Sequence, residues 1–229
     1  FFLLFRMSRK GWSFGWALLA GGLLGYTLIT DFLAFTVVLV LAIYAVVVVV
    51  RQKQMTSKHK LLALLPFIIG ILLPLPLQLW YNWACFGNIL TSAYRYEVLS
   101  EFTEGMRTGL MGITYPKLEA LYQLTFGPRC GLFYGAPFLL FAIPGAYLMI
   151  RRGRFSGAGK QSVRLEGLVC VSIALATLLL NASYYMWWGG DIYGPRFLIP
   201  TIPFLALMTF FAFPYAPQAF KLLAVLSII

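Results

Sequence analysis

Phe32-Leu33-Ala34-Phe35-Thr36-Val37-Val38-Leu39-Val40-Leu41-Ala42-Ile43-Tyr44-Ala45-Val46-Val47-Val48-Val49-Val50 is an apolar run that ends in five consecutive valines and is closed by Arg51. A helix crossing a bilayer needs ~20 mostly apolar residues, so this run predicts a transmembrane helix. Upstream, across a turn at Asp31, Phe14 to Thr30 reads as a shorter span rich in glycine (Gly15, Gly21, Gly22, Gly25). Small residues there allow close approach of a second helix. Downstream, a basic polar loop over 51–60 leads into Leu61 to Tyr81, where Pro66, Pro74 and Pro76 predict a kinked or partly unwound helix. Gly131 to Ile150 (interrupted by Pro137 and Pro144), Leu165 to Ala182 and Phe197 to Tyr215 read as further spans. Phe1–Phe5 and Leu222–Ile229 read as helices cut short. The expected fold is all-α: a polytopic integral membrane protein with about six complete transmembrane helices plus partial helices at both ends. It forms a single transmembrane domain over 1–229, an internal piece of a longer chain.

Composition agrees. The 229 residues are 61% hydrophobic and 11% charged, with a mean hydropathy of +0.83. Ordinary soluble domains are about 45–50% apolar and about 25% charged. A formal net charge of +11 raises the question of nucleic acid, but in membrane proteins excess Lys and Arg report topology, and no nucleic-acid partner is expected. Cys85, Cys130 and Cys170 show no metal-ligand spacing, and His59 is the single histidine. No metal and no cofactor are therefore expected. No phosphate-binding glycine loop is present.

The bases set the orientation. Arg6, Arg9, Lys10, Arg51, Lys53, Lys58, Lys60, Arg151, Arg152, Arg154, Lys160, Arg164 and Lys221 fall in or beside alternate loops, with Glu166 the one acid near them. The other loops carry the remaining five bases and six acids. The positive-inside rule then puts the basic loops in the cytoplasm. Asp31, the loop 82–130 and the aromatic loop 183–196 face outward from the plasma (inner) membrane. Within 82–130, Pro116 to Phe126 predicts a short interfacial helix with Pro116 in its first position and Leu118, Leu121, Tyr122 and Thr125 on one face.

Three outward features are candidates for chemistry. The first is Tyr184-Tyr185-Met186-Trp187-Trp188-Gly189-Gly190-Asp191-Ile192-Tyr193-Gly194-Pro195-Arg196. On one reading Arg196 binds an anionic head group such as phosphate, while Asp191 orients a sugar hydroxyl or holds that Arg. On the other, the two form an interfacial salt bridge within an aromatic belt. The second is Tyr81-Asn82-Trp83-Ala84-Cys85-Phe86-Gly87-Asn88, with Tyr94-Arg95-Tyr96-Glu97 just beyond. Aromatics alternating with amides suit carbohydrate, and they equally suit an interface belt. The third is Gly127-Pro128-Arg129-Cys130-Gly131, where Arg129 stands at a helix mouth much as Arg196 does. Two such arginines make an anion clamp, although basic side chains also snorkel there for structural reasons. Cys85 and Cys130 share the outward side, where a disulfide is chemically allowed. Asp31 reads as a solvated turn or an embedded acid.

Trp187-Trp188-Gly189-Gly190-Asp191-Ile192-Tyr193-Gly194-Pro195-Arg196-Phe197-Leu198-Ile199-Pro200, followed by Pro203-Phe204-Leu205, resembles the late outward loop and helix of bacterial membrane glycosyltransferases of the glycosyltransferase C superfamily. These are akin to protein O-mannosyltransferases and the lipid A aminoarabinose transferase. Tyr81-Asn82 with Phe86-Gly87-Asn88, Gly131-Leu132-Phe133 with Pro137, and Gly21-Gly22-Leu23-Leu24-Gly25 resemble further stretches of that pattern. The resemblance implies transfer of a sugar from a polyprenyl-phosphate donor to a glycan, lipid or protein acceptor on the extracytoplasmic side. It implies Arg196 and Arg129 as holders of the carrier phosphate, and Asp191, Trp187, Trp188, Tyr193 and Asn82 as shapers of the sugar pocket. It also implies an acidic general base in a first outward loop upstream of Phe1, so this chain alone is expected to be inactive. A transporter or flippase of lipid-linked glycans and a non-catalytic membrane scaffold are the alternatives.

Overall fold

The computed structural model describes residues 1–91, 96, 100–151, 162–190 and 194–227. These form helices, with no strand among the described residues. Two compact units divide the chain, Phe1–Thr103 and Glu104–Ile229.

In the first unit, α1 (Phe2–Lys10), α2 (Phe14–Thr30) and α3 (Phe35–Val50) are followed by α4 (Ser57–Leu72) and α5 (Leu75–Phe86). Asp31 accepts a hydrogen bond from the Leu33 N–H (2.9 Å), capping the short 3-10 turn Phe32–Ala34 that opens α3. Of its two readings, this is the turn residue; an N-cap carboxylate satisfies a donor the helix cannot. Helices α2 and α4 touch backbone to backbone. A Cβ on Gly21 would overlap the Phe67 carbonyl, one on Gly25 the Ile71 carbonyl, and one on Gly70 the Leu18 carbonyl. Of the four glycines expected to permit close approach, Gly21 and Gly25 do so, while Gly15 and Gly22 are not in tight contact, and Gly70 supplies the matching groove. Pro66 is accommodated inside α4. The expected interruption falls at Leu73–Pro74, between α4 and α5. Gly87 then ends α5 in the left-handed conformation (φ 67°).

The second unit holds α6 (Ser100–Arg107, from its second half), α7 (Leu118–Thr125), α8 (Leu132–Gly135), α9 (Ala142–Arg151), α10 (Arg164–Ser183), α11 (Ile202–Ala212) and α12 (Pro217–Leu226). One expectation is corrected here. The short helix expected from Pro116 begins at Leu118. The Lys117 N–H is drawn to the Ala182 carbonyl (3.1 Å) at the end of α10, which holds Lys117 extended (φ −90°, ψ 128°) as the residue before the helix. Leu118 and Tyr122 face outward and exposed, while Ala120 and Leu124 are buried against Ala182 and Leu198. The interruption expected at Pro137 within Gly131 to Ile150 is present. Ala136, disfavoured from helical geometry by Pro137, sits at φ −138° and ψ 69° and separates α8 from a 3-10 turn, Pro137–Phe141, that leads into α9. Further in, a Cβ on Gly145 would overlap the Met208 carbonyl, so α9 and α11 are in backbone contact. Phe220 of α12 meets Phe138, Phe141 and Phe213 edge-on.

Four stretches are long and apolar enough to cross a membrane: Phe32–Val50, Ser57–Phe86, Arg164–Ser183 and Arg196–Tyr215. They match four of the six expected spans. Phe14–Thr30 and Pro137–Arg151 are shorter apolar helices.

Candidate functional site

The loop before α8 and the loop before α11 meet in the second unit. The Gly194 N–H donates to the Arg129 carbonyl (3.0 Å), and Gly194 does so at φ +90°, a conformation that disfavours any side chain. On the other arm, the Gly131 N–H bonds the Gly127 carbonyl (2.8 Å), and a Cβ on Gly131 would overlap that oxygen. This tight turn sets the position of Arg129.

The consequence is a cavity of about 340 Å³ lined by both arginines, Arg129 and Arg196, with Gly131, Leu132, Gly135, Ala136, Phe138, Leu139, Gly194, Pro195, Ile199 and Ile202. The two helix-mouth arginines singled out in the sequence therefore share one wall-to-wall space. Arg196 places its guanidinium carbon 4.8 Å from the Phe197 ring centroid, a stacking that limits its rotamers. Among these lining residues there is no carboxylate. The charge is positive, the remaining wall is apolar or backbone, and the volume is that of a small-ligand site. A second cavity, about 310 Å³, lies among Ala142, Ile143 and Ala146 of α9, Val171, Ala174, Leu175 and Leu178 of α10, and Leu205 and Met208 of α11. Leu132 lines both cavities.

The aromatic loop is held from behind. Trp187 packs on the buried cluster of Ala120, Leu124, Ala182 and Leu198, and Trp188 meets it edge-on at 5.6 Å. Cys130 is buried and directs its thiol at the Trp188 carbonyl (3.6 Å). Burial pushes the Cys130 thiol up from its ordinary value, and the Arg129 charge pulls it partly back. Cys85, Cys130 and Cys170 are all free thiols. A maleimide at neutral pH is therefore expected to label exposed Cys85 promptly and Cys130 slowly. Equal labelling rates on the folded protein, read by mass spectrometry, would contradict this packing.

Asn82 stands in the first unit, and its amide is engaged locally. Gln78 Nε2 donates to Asn82 Oδ1 (2.9 Å), and Asn82 Nδ2 donates to the Ile89 carbonyl (3.1 Å). It is 8% exposed and holds the end of α5 to the loop that follows. Tyr96 stacks on Phe86 at 5.0 Å. Asp191 and Tyr193 lie outside the described residues, as do Tyr94, Arg95 and Glu97.

Sequence reasoning missed how the loop after α6 is fixed. Ile113 pairs with Leu110 and with Tyr184, and the Tyr185 N–H donates to the Gly112 carbonyl (2.8 Å). The Tyr185 ring is seated between two glycines, since a Cβ on Gly105 or on Gly112 would overlap its opposite edges. Gly109 and Gly112, both at positive φ, mark a turn that their spacing could have signalled.

Fold and site together define the class: a helical chain with four helices long and apolar enough for a membrane and, in its second unit, a cationic, apolar-walled cavity. No protein-family model matches the chain, nor does any curated protein or solved structure.

Proposed function

We propose that this chain is the carrier-binding and architectural half of a membrane glycosyltransferase. It would transfer a sugar from a polyprenyl-phosphate donor to a glycan, lipid or protein acceptor on the extracytoplasmic side of the plasma (inner) membrane. The observation that carries the reading is the placement of Arg129 and Arg196 on one apolar-walled cavity. A lipid phosphate needs that combination: guanidinium groups for the oxyanion and apolar surface for what is attached to it. The neighbouring apolar cavity among α9, α10 and α11 offers room for the first units of a polyprenyl tail.

In the reaction the bond from the sugar's anomeric carbon to the phosphate oxygen breaks, and its electron pair stays on phosphate. The acceptor hydroxyl attacks the opposite face and loses its proton to a base. The arginines would stabilise the charge gathering on the leaving phosphate. Trp187, Trp188, Asp191 and Tyr193 would shape the sugar subsite. Phe14–Thr30 and Pro137–Arg151, extended by their flanking residues, would complete six crossings, with the basic loops cytoplasmic.

Arg196→Ala is expected to abolish sugar transfer while expression and membrane insertion stay normal. Unchanged transfer would remove Arg196 from the site. A transporter would more often place ionisable groups at mid-membrane, and the apolar helices carry few.

A further inference from the structure

We infer that the basic end of the first unit is a binding surface for anionic phospholipid head groups. Three helix ends meet there and are tied to one another. The Lys60 ammonium of α4 donates to the Val50 carbonyl at the end of α3 (2.7 Å). Trp12, just after α1, donates its indole N–H to the Ala63 carbonyl of α4 (2.8 Å) and sets its ring edge-on to Phe67. The last turn of α1, the α3–α4 loop and the first turn of α4 therefore present Lys10, Arg51, Lys53 and Lys58 as one exposed group. Residues 1–96 contain a single acid, Asp31, and it caps the opposite end of α3. Within residues 1–96 the cluster thus has no carboxylate to neutralise it.

What neutralises it is indicated by its border. Val50, Leu61 and Leu62, immediately beside these bases in the chain, are exposed apolar side chains, and Trp16, with Arg6 at 5.0 Å over its ring, is exposed as well. Cations directly above apolar surface, with indoles at the same level, describe the depth at which lipid phosphates lie. A nucleic acid or an acidic peptide would use the charges and leave the apolar rim uncovered. Anionic lipid uses both.

The test is thermal unfolding of the whole chain in neutral phosphatidylcholine micelles, with phosphatidylglycerol titrated in. The unfolding midpoint is expected to rise with the anionic fraction and to fall back in high salt, because exposed charges are screened. The triple variant Arg51→Gln, Lys53→Gln, Lys58→Gln is expected to lose most of that rise, while Arg151→Gln, at an exposed base of the second unit, keeps it. Four results would overturn the inference: no rise, a rise that survives high salt, an equal rise in the triple variant, or an equal rise produced by a short RNA in place of the lipid. If the triple variant does not accumulate, the salt and RNA arms on the unaltered protein still decide.

Discussion

Gly25→Val is expected to force α2 away from α4 and to sharply reduce the yield of folded protein. The Ile71 carbonyl occupies the space a Cβ would need, and the obstruction is backbone, which cannot rotate away. Gly21→Val against the Phe67 carbonyl and Gly70→Val against the Leu18 carbonyl should behave alike. Overpacking of this kind costs about 1–3 kcal/mol, and more where neighbours cannot yield. The same helix contains its own controls. Nothing lies within 4 Å of a Cβ on Gly15, and a Cβ on Gly22 would make only ordinary contact, 3.9 Å from the Gly70 carbonyl. Alanine at those two positions should be neutral, or stabilising by about 0.5–1 kcal/mol through helix propensity. Unfolding midpoints across the five variants test this, and a uniform response would contradict the α2–α4 contact.

The pair Arg129→Ala and Arg196→Ala carries the second large effect, on binding of a polyprenyl monophosphate. Hydrogen bonds to charged groups contribute about 1.5–3 kcal/mol. Both arginines are exposed residues, so each contact belongs at the lower end of that range, roughly tenfold in affinity. Because both side chains line one cavity, the losses should not add; the double variant should fall to background. Arg196→Lys should recover only part of the affinity, since a lysine supplies a point charge without the planar fork. Equal affinity in the Lys variant and the unaltered protein would argue against a bidentate contact.

The long apolar runs were legible because hydropathy alone identifies them: Phe32–Val50 and Arg196–Tyr215 emerge nearly as read. The glycines of α2 were also legible as a close-packing face, although their partner Gly70 was not, because partnership across sequence leaves no local trace. Where proline acts on its neighbour, the sequence is only partly legible. Pro137 reads as an interruption and is one; its effect on Ala136 divides the segment into two helices and a turn, and Ala136 thereby becomes part of the cavity wall. Pro116 suited a helix start on local grounds, but a long-range hydrogen bond from Lys117 to Ala182 moved the start. For the site, the two arginines were legible from their place at helix mouths. The walls around them, Gly135, Phe138, Ile199 and Ile202, came from folding two distant loops together. Asn82 reads as a carbohydrate ligand by residue type, and what the sequence does not show is that its amide is bonded to Gln78 and to the Ile89 carbonyl.

The central claim is that the Arg129–Arg196 cavity binds a lipid through its phosphate. Native mass spectrometry of the chain in detergent, offered equal amounts of a polyprenyl monophosphate and the polyprenol of the same length, addresses it directly. The account predicts that the phosphate form is retained, the alcohol is not, and retention disappears in the Arg129→Ala, Arg196→Ala protein. Equal retention of phosphate and alcohol, or retention indifferent to both arginines, would contradict it.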